Sequence, residues 1–280
     1  MGLRARIVVY AAEEHQARGA CKAAFARIAE LEQVMSDYRP TSELMRLCAR
    51  AGGRAVRIST DLMQVLLKAQ QLSKRSGGAF DVTVGPLVKL WRTARRTGRL
   101  PSETEIDAAR RLVGWRKLHL DAKSSTARLE TPGMLLDLGG IAKGYACDQA
   151  LKTLRSSGIR SALVEMGGDI VLGEPPPGKS GWLIEVPNPS KMPQRYVLAN
   201  RAISTSGDLE QFVEIGGRRY SHVVDPRTGI GITNRITATV IAADCTTSDC
   251  LSTAVAVLGE EKGRAVAGSY PGVRVFISRG

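Results

Sequence analysis

A histidine, an aspartate and turn-forming residues meet in Tyr220-Ser221-His222-Val223-Val224-Asp225-Pro226-Arg227-Thr228-Gly229. Imidazole exchanges protons near neutrality, so a histidine here is a candidate general base. Val223 and Val224 favour extended backbone and Asp-Pro-x-x-Gly is turn chemistry, so the segment reads as a strand running into a tight turn. The chain has three histidines, His15, His119 and His222. Only His222 stands at such a junction, where rigid scaffolds usually present their chemistry. A histidine that merely hydrogen-bonds the turn accounts for the same residues.

Two further segments carry reactive groups. Leu136-Asp137-Leu138-Gly139-Gly140-Ile141-Ala142-Lys143-Gly144 leads an apolar run into a helix. Paired glycines allow close backbone approach, and a helix start offers unpaired N–H groups and a positive dipole end to an anion. Lys143 adds a mobile charge. The G-x-G-x-x-G spacing of dinucleotide sites is absent, and a tight strand-to-helix turn remains an alternative. In Ser248-Asp249-Cys250-Leu251-Ser252-Thr253, Asp249 and Thr253 stand four residues apart and share a helix face. Carboxylate and hydroxyl are hard oxygen ligands that suit Mg²⁺, while Ser248 or Asp249 could equally be an ordinary helix cap. Weaker signals are the glycines and Asp81 of Gly77–Pro86, Tyr38 in a loop where it could stack, and the hydroxyl-rich segment 202–208, read as a turn.

The elements that must hold these groups follow from periodicity. Extended patterns cover 4–11, 118–120, 127–130, 161–165, 181–186, 196–198, 212–215, 220–224, 237–242 and 273–277, the pair 118–120 and 127–130 forming a hairpin. Helical spacing covers 14–34, 60–76, 86–94, 102–113, 140–156, 248–258 and 260–269, with a capping box of Ser102 and Glu105. Residues 35–47 read as a polar interruption. Helices outweigh strands early and strands dominate later, which predicts an α+β fold with mixed β-sheets flanked by helices.

The 280 residues are 43% hydrophobic and 5% aromatic, so aliphatic side chains and alanine must fill the core. The formal charge of +13 favours anionic partners. The arginines are dispersed, and the densest groups, Arg92-Arg95-Arg96-Arg99 and Arg110-Arg111, read as solvated basic surface without the aromatics of a nucleic-acid interface. Cys21, Cys48, Cys147, Cys245 and Cys250 fit no zinc or redox spacing, and no disulfide framework is expected. No apolar run is long enough to span a bilayer.

Taken together and in order, these segments resemble the ApbE family of FAD:protein FMN transferases. The resemblance covers nearly the whole chain, 1–280, as a single domain. It is carried by Met1-Gly2, Met35-Ser36-Asp37-Tyr38-Arg39-Pro40 with Ser42-Glu43-Leu44, and Gly78-Ala79-Phe80-Asp81-Val82-Thr83-Val84-Gly85-Pro86-Leu87. It continues in Asp137 to Tyr145, Glu165-Met166-Gly167-Gly168-Asp169, Ser204-Thr205-Ser206-Gly207-Asp208, the His222 segment, Asp249 to Thr253 and Leu258-Gly259.

The resemblance implies an ApbE-type fold with a ligand cleft between two sub-regions. It implies Mg²⁺-dependent transfer of FMN from FAD to a threonine of an acceptor flavoprotein, with release of AMP. Acceptors of this kind are flavin-carrying subunits of membrane redox complexes. Carried over by position, Met1, Tyr38, Ala79, Phe80, Asp81, Gly139, Lys143, Tyr145 and Val223 line the FAD site. The Ala142 carbonyl with the Asp249 and Thr253 side chains holds Mg²⁺, Ser252 adds a backbone oxygen, and His222 is the base. Rival readings are an FAD pyrophosphatase, in which water replaces threonine, a non-catalytic flavin-binding protein, and a nucleic-acid module that rests on net charge alone. The chain departs from the family at Cys48 and Lys89, where asparagine is common. The family's export signal and lipid-attachment cysteine are not seen. A leader upstream of Met1 would place the protein in the cell envelope, and otherwise it is cytoplasmic; membrane association would need a tether outside this chain.

Overall fold

Ile236–Ala242 is buried at every position, on both faces, which marks it as a central strand. The computed structural model describes residues 4–186, 193–207 and 212–279. In chain order its elements are β1 (Ala5–Val9), α1 (Glu14–Met35), α2 (Glu43–Cys48), β2 (Val56–Arg57), α3 (Thr60–Arg75), α4 (Gly85–Thr97), α5 (Glu103–Arg111), β3 (Leu118–Asp121), β4 (Thr126–Leu129) and α6 (Ala142–Ser156). They continue with β5 (Ala162–Met166), β6 (Asp169–Leu172), β7 (Trp182–Val186), β8 (Gln194–Leu198), β9 (Ala202–Ser206), β10 (Phe212–Ile215), β11 (Arg218–Ser221), β12 (Ile236–Ala242), α7 (Cys245–Leu258), α8 (Glu260–Gly268) and β13 (Arg274–Arg279).

The main sheet runs β1-β5-β6-β9-β12-β13. Its two faces follow from the alternation of side chains along each strand. Val164, paired with Val171, turns to α6 and α1 and joins the largest cluster of buried residues. Leu163, paired with Leu172, turns the other way, where the β7-β8 hairpin covers it with Trp182, Ile184 and Leu198. The smaller sheets are β2-β4-β3, whose Leu118, Ala127 and Leu129 join the same cluster as α6 and α1, and β10-β11, which flanks a separate cluster. There Leu87, Trp91 and Ala94 of α4 pack with Ile106 of α5, Tyr220 and Val224. The α+β class therefore stands, with one refinement: the strand pairings in the sheets are antiparallel rather than mixed.

Two expectations need correction. Of the segment 202–208 read as a turn, residues 202–206 are strand β9, hydrogen-bonded between β6 and β12. Its hydroxyls are tolerated inside because each has a partner, Ser204 Oγ with Ser248 Oγ at 2.8 Å and Thr205 Oγ1 with Thr239 Oγ1 at 2.9 Å. Residues 35–47 are not wholly irregular, since Ser42 caps the short α2 by accepting from the Met45 amide. The capping box of Ser102 and Glu105 is present as expected. The five cysteines are free, Cys147 buried and Cys21 half-buried.

α7 starts three residues earlier than its pattern suggests, because Asp244 caps it through the Thr247 amide at 2.7 Å. Asp148 of α6 supports the same end, accepting from the Cys245 and Thr246 amides at 2.8 Å each. Burial outweighs those bonds and pushes the Asp148 carboxyl up to about 6. A carboxyl raised above its unfolded value of about 4 holds extra protons in the folded state, so its contribution to stability falls as pH rises between those values. Wild type should therefore lose stability relative to Asp148→Asn from pH 4 to pH 6, by up to about 3 kcal/mol at 1.36 kcal/mol per pKa unit. Urea unfolding of both proteins across that range checks the difference; a constant gap between them would refute it.

Candidate functional site

The cleft encloses about 950 Å³, at the upper end of the roughly 300–1,000 Å³ of small-molecule sites. Two parts of its lining carry chemistry. In one, His222 lies just past β11 in a bend, one residue beyond the strand end. Its loop is firmly held. The Trp91 indole donates to the Gly229 carbonyl at 2.8 Å, and the Gly229 amide donates to the Asp225 carbonyl at 2.8 Å. Gly229 has φ +78°, and a β-carbon there would meet Ile106 Cγ2 at 2.7 Å, so only glycine closes this turn against α5. His222 is half-buried and, with Val223, lines the cleft.

In the other, α6 begins just after the Gly139-Gly140 turn. Lys143 Nζ lies 2.9 Å from Asp169 Oδ2, 3.2 Å from Asp249 Oδ1 and 2.9 Å from the Gly139 carbonyl. Asp249 also accepts from the Gly144 amide at 2.9 Å. Both carboxylates are buried, Asp169 3% and Asp249 1% exposed. One ammonium thus faces two carboxylates. Burial first, and then the charge of Asp169, raise the Asp249 carboxyl, opposed by Lys143 and the Gly144 amide. Asp169 Oδ2 makes no hydrogen bond of good geometry despite its ion pair. Ser206 Oγ lies 2.7 Å from Ser252 Oγ and 3.2 Å from Thr253 Oγ1. A β-carbon on Gly140 would stand 3.0 Å from Thr253 Oγ1, so that glycine lets the turn approach α7.

An excess of buried negative charge and neighbouring hydroxyls fit a divalent cation with hard oxygen ligands. Among the described residues no three His, Cys, Asp or Glu converge as a metal site. A cation here would need the mixed set of carboxylate, hydroxyl and backbone carbonyl that Asp249, Thr253 and Ala142 can offer.

His222 and the start of α6 line one large cleft, and the ApbE family model covers residues 1–277. This chain belongs to the ApbE family. It is 38% identical over 246 residues to the FAD:protein FMN transferase of Vibrio cholerae, spanning 85% of this chain and 73% of that protein. It is 33% identical over 295 residues to that of Treponema pallidum, spanning 98% and 81%. The fold superposes on the flavin transferase ApbE from Vibrio cholerae, in a histidine-to-glycine mutant, with a TM-score of 0.89 at 33% identity, covering 99% of this chain and 90% of that one. The ApbE protein of Thermotoga maritima gives 0.88 at 31% identity, covering 99% and 94%.

Within this ApbE-family cleft the structure brings together Tyr38, Ala79, Phe80, Asp81, Gly139, Ala142, Lys143, His222, Val223 and Thr253. Asp249 sits behind the wall and is reached through Lys143. Ser252 is also behind it, its hydroxyl donating to the Asp249 carbonyl at 2.8 Å. Tyr145 points elsewhere: its hydroxyl lies 2.8 Å from Asp61 Oδ1 and from Gln64 Oε1 of α3. Asp81 faces the cleft with both oxygens engaged, Oδ1 by the Thr83 amide at 2.8 Å and Oδ2 by the Trp115 amide at 2.7 Å, so it braces its loop. Met1 and Asp208 lie outside the described residues.

Three contributors went without a role in the sequence reading. Asp169 opens β6 after the Gly167-Gly168 turn, whose φ values of +56° and +89° suit a tight hairpin. That pair of glycines between apolar runs was the available signal. Asp137 accepts from the Gly139 amide at 2.8 Å and so shapes the anion loop. Arg92 is not solvated surface: it binds Asp37 at 2.5 Å and Asp137 at 3.1 Å and lines the cleft.

Gly144 joins the two site helices. A β-carbon there would lie 2.3 Å from the Cys245 carbonyl oxygen and 2.8 Å from Asp249 Cβ. Backbone cannot yield as a side-chain tip can, so Gly144→Ala must separate α6 from α7. The expected loss is about 3 kcal/mol of stability, at the upper end of overpacking costs. Chemical denaturation measures it; a change below about 1 kcal/mol, small by the same scale, would contradict the packing described.

Proposed function

We propose that this chain transfers FMN from FAD to a threonine hydroxyl of an acceptor flavoprotein, releasing AMP, and that residues 1–280 act as a single domain. What supports it most is that His222, Lys143 and Thr253 line one cleft large enough for a dinucleotide, with Asp249 directly behind Lys143. The names of the relatives specify FAD as donor and a protein as acceptor. A threonine hydroxyl is a weak nucleophile and needs a base. In this reading His222 takes the threonine proton as the oxygen attacks the phosphorus of the FMN half. The new O–P bond forms as the bridging P–O bond breaks, and AMP departs with that oxygen. The Gly139-Gly140 turn, the start of α6 and Lys143 supply positive potential to the pyrophosphate. Asp249, Thr253 and the Ala142 carbonyl would hold Mg²⁺, with Ser252 adjoining. When bound, the ion neutralises pyrophosphate charge and stabilises the leaving phosphate.

The acceptor belongs to the class of flavin-carrying subunits of membrane redox complexes. Among the described residues no helix is long and apolar enough to cross a membrane. The test is incubation with FAD, Mg²⁺ and a protein bearing the target threonine. Covalently flavinylated acceptor and AMP in equal amounts are expected. FAD binding with neither product would defeat the proposal, and free FMN with unlabelled acceptor would mark hydrolysis instead.

A further inference from the structure

Tyr38 follows α1 and is 66% exposed, although it lines the cleft. Its backbone is tied: the Tyr38 amide donates to Ser36 Oγ at 3.3 Å, and Ser42 Oγ donates to the Ser36 carbonyl at 2.6 Å. The ring itself meets Arg92, whose guanidinium carbon stands 4.7 Å from the ring centroid. That guanidinium is not free to turn. One terminal nitrogen binds Asp37 Oδ2 at 2.5 Å and the other Asp137 Oδ2 at 3.1 Å. Asp137 in turn shapes the anion loop through the Gly139 amide at 2.8 Å. A planar group clamped by two acids therefore fixes an exposed aromatic ring and joins it to the turn that receives phosphate.

We propose that Arg92 is a positioning residue for the dinucleotide: it holds the Tyr38 ring as a stacking platform, in fixed relation to the Gly139-Gly140 anion loop. The inference rests on the reading of FAD as substrate. An aromatic ring held in place by a cation on one face offers the other face to a planar ligand ring without first losing rotational freedom. Position matters because one ligand must meet the ring and the anion loop together. Lysine would keep the charge balance with Asp37 and Asp137, yet it has no plane to hold the ring and no fork to bridge two acids.

The test is FAD binding by calorimetry, without metal and without acceptor, on wild type, Arg92→Lys, Arg92→Gln, Tyr38→Ala and the double variant Arg92→Lys/Tyr38→Ala, with thermal melts as the folding control. Arg92→Lys should melt within a few degrees of wild type and weaken FAD binding about tenfold, from lost cation–π contact and ring ordering. In the Tyr38→Ala background the same substitution should weaken binding no more than about threefold, since coupled residues are non-additive. Arg92→Gln removes the cation in contact with Asp137 and should melt lower as well as bind weakly. Arg92→Lys that binds FAD as wild type does, or that loses the same factor with and without Tyr38, would overturn the proposal. Wild type that takes up no FAD would overturn the substrate reading itself and this inference with it.

Discussion

Asp249→Asn is expected to lower FMN transfer by about a thousandfold while leaving the protein as stable as wild type or more so. The two effects have opposite origins. Asparagine keeps the shape of the side chain and can still accept from the Gly144 amide, now 2.9 Å from Asp249. It removes one of two carboxylates that face a single lysine, and that excess charge is what raises the Asp249 carboxyl after burial. Folding gains from the neutralisation, because Lys143 keeps Asp169 at 2.9 Å and the Gly139 carbonyl at 2.9 Å. Function loses, because the carboxylate proposed to hold Mg²⁺ is gone. A bound metal ion stabilises a phosphoryl-transfer transition state by several kcal/mol, and about 4 kcal/mol corresponds to roughly a thousandfold in rate. AMP release across a range of Mg²⁺ concentrations, with thermal melts beside it, measures both. Activity within tenfold of wild type would remove Asp249 from the proposed cation site, and a strongly destabilised variant would contradict the charge analysis.

The same cluster shows where sequence reading stops. Local rules placed α6, the Gly139-Gly140 turn and the shared helix face of Asp249 and Thr253, since each depends on neighbours within a few residues. They gave no means of knowing that Lys143 lies against Asp249, 106 positions away, or that Asp169 completes the charge group. Residues 202–206 were misread for a related reason. Serine and threonine favour turns when their hydroxyls must find local partners. Here Ser204 and Ser206 find theirs on α7 and Thr205 on β12, so a hydroxyl-rich segment becomes an interior strand. Arg92 looked like one of several surface cations because Asp37 and Asp137, which bury its charge, come from two distant loops. Tyr145 is a converse case: the family motif is intact, and nothing local in it shows that the hydroxyl is engaged by α3.

His222→Ala should lower transfer by about 10²- to 10⁴-fold, the usual contribution of a positioned general base, with FAD affinity nearly unchanged. The size of the effect depends on position more than on chemistry. His222 sits on a loop closed by the Trp91–Gly229 hydrogen bond and by a glycine that alone fits against Ile106. Truncating its side chain should therefore open a space in the cleft without loosening the turn. Added imidazole should enter that space and restore part of the transfer, rising with its concentration, whereas a histidine that only tied the turn would leave a defect that no small base repairs. AMP release and acceptor labelling, each followed with and without imidazole, separate the two. Rescue of both together places His222 on the threonine proton. Rescue of AMP release alone would mean that the imidazole activates water. Full activity without rescue would return His222 to the turn and leave the base to be found elsewhere on the cleft.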